Sequence, residues 1–423
     1  MADVKIQPSS LNGTVTVPPS KSDCHRAIIC AALAKGKSTV APVSMSQDIK
    51  ATISCINSLG AKTDLKGDTL TIDSSHLFYG CKANFDCCES GSTLRFFIPV
   101  AGALGIDGTF TGKGLLPKRP IGIYLDTLPK QGVNCKTEGG LPLEISGELK
   151  SGTFEIPGNV SSQFVTGLLL ALPLLEGDSK IVITTPMESV GYINMTIDTM
   201  KRFGVTVEVT DYGYFVKGNQ HYTPQNYTVQ GDWSQAAFFM VAGALGGEIT
   251  VKGIDTNSTQ GDKEICRIIE KFGADVQVDS NSVTVKKGNL KGINIDARQI
   301  PDLVPVLAVC AAGANGTTKI YNAERLRIKE SDRLNTTANA INNLGGMVAE
   351  TRDGLLIQGI GTLRSGKAEG SNDHRIVMAS AIASVIATGE VTITDSQAIN
   401  KSYPDFFEDF RSLGGNVNVI NNR

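Results

Sequence analysis

Apolar and polar positions along this chain follow a pattern that returns about every 70 residues. Each period opens with a short alternating stretch (TVTVP, ANFDC, TFEIP, YTVQG, INIDA, KAEGS), which predicts a strand. A junction of small, polar or charged residues comes next, and then a long Ala/Leu/Val/Phe-rich segment with no polar face, the pattern of a helix buried on all sides. After a second strand, such as GEITVKGI or GEVTITD, comes a segment apolar on one face only. These segments (SCINSLGA, YLDTLPKQGV, IDTMKRFGV, RIIEKFGA, NAINNLGG, EDFRSLGG) predict amphipathic helices. Each closes on a glycine, at Gly60, Gly132, Gly204, Gly273, Gly345 and Gly414, where a residue free to take positive φ ends a helix without a Cβ clash.

Strand pairs follow five of the six glycines, so the repeating unit reads βαβαββ and the sixth unit is one strand short. The chain starts with VKIQPSS, a strand that has no partner in the first unit. It is expected to complete the last one, bringing the two ends of the sequence into one sheet. A period of about 70 residues is several times that of a solenoid repeat, and six units in two groups of three fit the length.

Composition narrows the function classes. With 423 residues, 41% of them hydrophobic and 6% aromatic, the chain has apolar mass for two globular domains, and a net charge of −2 argues against a nucleic-acid partner. No apolar run reaches membrane-spanning length, VTGLLLALPLL being a core helix by length, and MADVKIQ lacks the apolar segment of a signal peptide. A cytoplasmic protein without a membrane partner is expected. The nine cysteines are scattered, and Cys24, Cys30, Cys55, Cys266 and Cys310 fall in helical patterns, which reads as core packing. No CxxC, HExxH or EF-hand loop occurs, and His25, His76, His221 and His374 are far apart, so neither a metal nor a cofactor is expected. AKGKS lacks the first glycine of a Walker A loop, and there is no GxGxxG.

The junctions hold the candidate chemistry. They lie at Ser20-Lys21, Gly91-Ser92, Ser161-Ser162, Asp232, Asp302 and His374, each where a helix N-terminus is predicted. Cations gather at these starts: Lys21 and Arg26 flank the first buried helix, Arg119 lies in LPKRPIG, Lys329 and Arg333 in RIKESDR, Arg375 follows His374, and Lys401 precedes SYPDFF. Unpaired N–H groups and the macrodipole already make a helix N-terminus positive, so a cation there destabilises the helix unless an anion is bound. Seven such placements predict a small polyanionic ligand.

PPSKSDCHRAIICAALAKG, LPKRPIG, SSQF, GDWSQAAFF, IPDLVPVLA, RIKESDRL, NDHRIVMA and KSYPDFF together resemble the 5-enolpyruvylshikimate-3-phosphate synthase family over essentially the whole chain. The order SKSxxxR, RIKESDR, NDHR carries most of the specificity. The resemblance implies an inside-out α/β barrel-like fold of two lobes with three βαβαββ repeats each, and an active site in the interlobe cleft. One lobe would be residues 20–230 and the other 1–19 plus 231–423. The implied reaction moves the enolpyruvyl group of phosphoenolpyruvate to the 5-hydroxyl of shikimate 3-phosphate and releases phosphate through a tetrahedral intermediate. It needs one acid and one base, and no cofactor. The family also implies a monomer, inhibited by glyphosate at the phosphoenolpyruvate site.

Carried over position by position, the resemblance assigns shikimate 3-phosphate to Lys21, Ser22, Arg26, Ser161, Ser162, Gln163, Ser189, Tyr192, Asp302 and Lys329. It assigns phosphoenolpyruvate to Lys21, Gly91, Ser92, Arg119, Gln163, Arg333, Arg375 and Lys401. The catalytic set is Lys21, Asp302, Glu330 and His374, with Glu330 toward the methylene carbon and Asp302 toward the 5-hydroxyl. Simpler readings exist for some of these: Ser161 and Asp302 are also good helix caps, and His374 also fits a packed position.

Two departures stand out. CESGSTLR replaces the family's GNAGTAxR-type segment, so Glu89 occupies an Asn position, where it would repel a polyanion unless turned away or paired with Arg95, and Ser92 stands for Thr. The segment before RIKESDR also differs from that of some relatives, with Arg325 where a neutral or acidic residue can occur. The competing enzyme reading is UDP-N-acetylglucosamine enolpyruvyl transferase, whose catalytic loop carries a cysteine; TGKGLLPKRPIG has none. A non-catalytic sensor of anionic metabolites is the third reading, disfavoured because two carboxylates add nothing to anion binding.

Overall fold

The six glycines that close the amphipathic helices all have left-handed backbone, with φ of 95° at Gly60, 89° at Gly132, 85° at Gly204, 112° at Gly273, 78° at Gly345 and 98° at Gly414. A Cβ would be strained at each, which is why the repeat is punctuated by this residue. The structure is a computed structural model and describes residues 2–77 and 79–421. In chain order its helices are α1 (Lys21–Leu33), α2 (Gln47–Ser58), α3 (Gly91–Ala103), α4 (Gly122–Thr127), α5 (Ser162–Ala171) and α6 (Val190–Arg202). They continue as α7 (Trp233–Gly246), α8 (Ile265–Phe272), α9 (Val304–Ala312), α10 (Arg333–Asn343), α11 (His374–Ala383) and α12 (Phe406–Ser412). The odd-numbered helices are the buried ones: every residue of α9, and Trp233 through Leu245 of α7, is buried.

Each repeat builds one four-stranded sheet, and there are six. The second repeat shows the plan. Strand Lys82–Asp86 runs parallel to Asp107–Thr111 across α3, and α4 then leads into the antiparallel hairpin Val133–Lys136 and Leu143–Gly147, whose second strand pairs with Asp107–Thr111. Helices of this architecture place their N-termini at the C-terminal ends of parallel strands, which collects the junctions on one side of each sheet.

Two strands depart from the plain repeat. Strand Ala2–Gln7 lies between Val391–Ile393 and Asn416–Asn421, antiparallel to both, and so supplies the strand missing from the sixth unit. Strand Gly13–Thr16, which the sequence pattern groups with α1, pairs instead with Glu248–Lys252, the strand after α7. Its place beside Lys37–Ala41 is taken by Asn226–Thr228, the strand that precedes α7. The first strands of the first and fourth repeats are therefore exchanged. Equivalent repeats offer equivalent sheet edges, so each exchanged strand finds a parallel partner.

By its contacts the chain forms two compact units, one from Pro19 to Val229 and the other from the segments up to Pro18 and from Gln230 onward. Each has its own apolar core, built around Phe96, Phe97, Phe164 and Phe203 in the first and around Trp233, Phe238, Phe239 and Phe406 in the second. The nine cysteines are all free thiols, and burial pushes Cys266 and Cys310 up to about 12, so they pack as small apolar groups. Among the described residues, no helix is long and apolar enough to cross a membrane.

Candidate functional site

In the unit Pro19–Val229, several of the candidate residues stand on the first turns of α1, α3 and α5. Ser20 caps α1, its Oγ accepting from Asp23 N at 3.4 Å. Lys21 is the first helical residue, and its charge there is offset by Asp48 of α2, 2.7 Å from Nζ, with both side chains largely enclosed. Arg26, expected to flank the helix, lies inside it on the second turn and is 3% exposed. Its Nε donates to Thr196 Oγ1 at 2.7 Å and its Nη2 to Tyr192 O at 3.0 Å, and Nη1 reaches Ser22 O. Burial lowers its pKa to about 10, with Asp23 opposing, so it stays cationic at neutral pH.

The N-termini of α3 and α5 are joined side chain to side chain. Ser90 caps α3 through Thr93 N, and Ser161 caps α5 through Gln163 N at 3.3 Å, so the simple capping reading holds for Ser161. Gln163 Nε2 donates to Ser92 Oγ at 2.9 Å and Gln163 Oε1 accepts from Arg95 Nη1 at 2.6 Å. Arg95 also grips Pro120 O, directly after Arg119. Arg119 in turn lies over Gly91: a Cβ there would meet its guanidinium atoms at 2.7–2.9 Å. Gly91, Ser92, Arg119 and Gln163 thus form one group. Ser189, buried ahead of α6, holds φ of 55°, a left-handed conformation unusual for a residue with a side chain.

In the other unit, charge converges on Arg333, the first residue of α10, whose side chain is 2% exposed. Its Nη1 lies 2.9 Å from Asp302 Oδ1, Nη2 2.7 Å from Glu330 Oε2, and Nε 2.8 Å from Asp373 Oδ2. Asp302 sits in the 3₁₀ turn Pro301–Leu303 and does not cap α9. Its carboxylate faces three cations, since Lys329 Nζ is 3.9 Å away and Arg375 Nη2 3.3 Å, besides Arg333. Burial lowers the Lys329 pKa to about 8 against the pull of Asp302 and Glu330. His374 and Lys401 are both buried, and Lys401 Nζ donates to Asn372 O at 2.6 Å. Lys401 ends a 3₁₀ helix, Ser396–Lys401, five residues short of α12, and so does not stand at that helix's start.

Sequence reasoning passed over two members of these groups, Asp373 and Asp262. Asp373 is fully buried beneath Arg333 and caps α11 through Arg375 N. Asp262 is buried and hydrogen-bonded to Ser234; burial and the nearby Asp302 charge push its carboxyl up to about 7. Arg95 engages Gln163 and Pro120, while the Glu89 carboxylate lies against Gly114, 2.5 Å from where a Cβ would stand. Arg325 is buried and donates to Arg298 O at 2.7 Å. Among the described residues no cluster has the ligands to hold a metal ion. What the geometry offers is buried carboxylates amid fixed cations, suited to moving protons beside an anion.

Comparison with known proteins gives these groups a family. The family model described as EPSP synthase (3-phosphoshikimate 1-carboxyvinyltransferase) matches residues 6–410. Proteins named 3-phosphoshikimate 1-carboxyvinyltransferase from Clostridium novyi and Clostridium kluyveri are each 48% identical, covering 98% and 99% of this chain and 98% of their own lengths. The solved EPSP synthase of Acinetobacter baumannii superposes with a TM-score of 0.82 at 26% identity, covering all of both chains. An enolpyruvyl transferase of Streptomyces tendae, 16% identical, reaches a TM-score of 0.82 over both full chains and so shares the fold.

Proposed function

We propose a division of labour among the residues of this chain, which belongs to the EPSP synthase family and transfers the enolpyruvyl group of phosphoenolpyruvate to shikimate 3-phosphate. The observation that carries the proposal is the placing of Asp302 and Glu330 on one guanidinium, that of Arg333. Simple anion binding has no use for two enclosed carboxylates, whereas addition followed by elimination needs an acid and a base.

Asp302 takes the proton of the 5-hydroxyl as its oxygen bonds to C2 of phosphoenolpyruvate, and Glu330 gives a proton to C3, making a methyl group. In the second step Glu330 takes a proton back from that methyl, the double bond re-forms, the C–O bond to phosphate breaks, and the departing phosphate oxygen takes up the proton held by Asp302, which returns both carboxyls to their starting states. Lys21 and His374 assist at the reacting end. Ser22, Arg26, Ser161, Ser162, Gln163, Ser189, Tyr192 and Lys329 hold shikimate 3-phosphate, with Lys21 and Asp302. Gly91, Ser92, Arg119, Gln163, Arg333, Arg375 and Lys401 hold phosphoenolpyruvate, with Lys21. The close group of Gly91, Ser92, Arg119 and Gln163 supports that second set. Glyphosate competes for the same cations, and the protein works as a cytoplasmic monomer.

A phosphate-release assay tests the reading. Shikimate 3-phosphate with phosphoenolpyruvate is expected to release phosphate, and UDP-N-acetylglucosamine in its place is not. Turnover of the nucleotide sugar alone would transfer the chain to the other acceptor class, and release with neither would leave an anion-binding protein.

A further inference from the structure

Four fully buried polar side chains run in a line through the unit Pro19–Val229, from α1 across α2 to the cap of α3. His25 Nδ1 is 2.7 Å from Thr52 Oγ1, Thr52 Oγ1 is 2.8 Å from Thr93 Oγ1, and Thr93 Oγ1 is 2.8 Å from Ser90 Oγ. All four residues are inaccessible to solvent. Hydroxyls carry one proton each, and that fixes the direction of the line. The Thr93 hydroxyl donates to Ser90 Oγ, so toward Thr52 it can only accept. The Thr52 proton is then committed to Thr93, so Thr52 can only accept from His25, and the proton must sit on His25 Nδ1.

An independent observation agrees. Burial, with Lys21 and Arg26 adding to it, holds the His25 pKa well below its usual 6.5, so the ring is neutral and carries one proton. Its Nε2 is a buried atom without a hydrogen-bond partner among the described residues. With the proton on Nδ1, the unpartnered atom is a bare lone pair, which costs less than an orphaned N–H.

We infer that His25, Thr52 and Thr93 form a one-way hydrogen-bond relay that locks Ser90, and with it the Gly91–Ser92 turn, in register with the Lys21 end of α1. Ser90 Oγ receives both the hydroxyl and the backbone N–H of Thr93, the latter at 3.2 Å, so the first turn of α3 is pinned from behind. A second link runs beside it, with the His25 ring edge-on to Phe96 of α3 at 6.4 Å between centroids and the Arg26 guanidinium 5.2 Å over that same ring. These are positioning residues, and the inference rests on Gly91–Ser92 being part of the phosphoenolpyruvate site.

Thr52→Val keeps the shape and removes the hydroxyl. It is expected to raise KM for phosphoenolpyruvate on the order of tenfold while KM for shikimate 3-phosphate stays within about twofold, and Thr52→Ser is expected to restore the wild-type value. Nitrogen-15 NMR of His25 in the full, substrate-free chain is expected to report the Nδ1–H tautomer. An Nε2–H tautomer, equal movement of the two KM values, no movement of either, or failure of Thr52→Ser to rescue would each overturn the relay. The tautomer is read without turnover, so an Nδ1–H ring in a chain that releases no phosphate would sink the reaction and leave the relay standing.

Discussion

Replacing Arg333 by Met removes the cation shared by three carboxylates and leaves a side chain of similar length. Asp373 suffers most: it is fully buried, and besides Arg333 it accepts from Ser331 Oγ at 3.0 Å and from the Arg375 backbone N–H at 2.9 Å. Asp302 keeps Lys329 and Arg375 close by, and so loses less. Breaking a buried ion pair from one side costs about 3–5 kcal/mol, because the surviving charge stays desolvated. Asp373→Asn in the Arg333→Met background removes that charge yet retains an acceptor for the α11 cap, and is expected to recover about 1–3 kcal/mol. The readout can be confined to the unit in question, since Trp233 is the only tryptophan in the chain and is buried there. Denaturant titration of wild type, both single variants and the double variant, followed by tryptophan fluorescence, gives the cycle. Strictly additive losses, within about 0.5 kcal/mol, would refute the claim that Arg333 and Asp373 neutralise each other.

Other predictions concern titration and chemistry. The Asp262 carboxyl, raised by burial and by Asp302 from 3.8 to about 7, binds a proton in the folded state that the unfolded state has lost, so wild type loses stability as pH rises between those values. Asp262→Asn escapes this, and its melting temperature relative to wild type is expected to climb from about pH 5 to about pH 8; a constant gap would refute it. Lys329, with its pKa lowered to about 8 by burial, sheds its charge above that pH, so KM for shikimate 3-phosphate is expected to rise there in wild type and stay flat in Lys329→Met. Gly91→Ala pushes a methyl against the Arg119 guanidinium, which can swing away; stability is expected to hold while KM for phosphoenolpyruvate rises about tenfold, and an unchanged KM would detach Arg119 from the site. Glu330→Gln is expected to lower kcat about a hundredfold with shikimate 3-phosphate affinity retained, and unaltered turnover would remove it from the mechanism.

The repeat was legible because it is written in local rules. Positive φ at Gly60 or Gly414 is a property of one residue and its helix end, and the caps at Ser20, Ser161 and Asp232 follow from side chains that reach only two or three residues along the chain. Partnership is not local. Nothing in TVTVP distinguishes the edge of Glu248–Lys252 from that of Lys37–Ala41, because each is the second strand of its own, equivalent repeat. The same holds for charge: Arg333 meets Asp373 across 40 residues of sequence, and Arg95 reaches Gln163 across 68, so the motifs show the ions but not their pairing. For Glu89 the sequence left two readings open, turned away or paired with Arg95, and the contacts of Arg95 with Gln163 and Pro120, 68 and 25 residues on, were visible in neither.

The exchanged and returning strands impose an order on synthesis. Every sheet of the unit Pro19–Val229 draws its strands from Lys37 to Thr228, so that unit can close as soon as its own stretch of chain has left the ribosome. Strand Gly13–Thr16, made earlier, must wait for Glu248–Lys252, and strand Ala2–Gln7 must wait for Asn416–Asn421. At roughly 5–20 residues per second, the second interval lasts on the order of 20–80 s, during which a β-prone segment with both edges bare hangs beside a finished neighbour. The alternation of Val4 and Ile6 with Asp3, Lys5 and Gln7 limits what can pair with it in the meantime, because a bare strand with a charged or polar side chain on every second residue is a poor template for another chain.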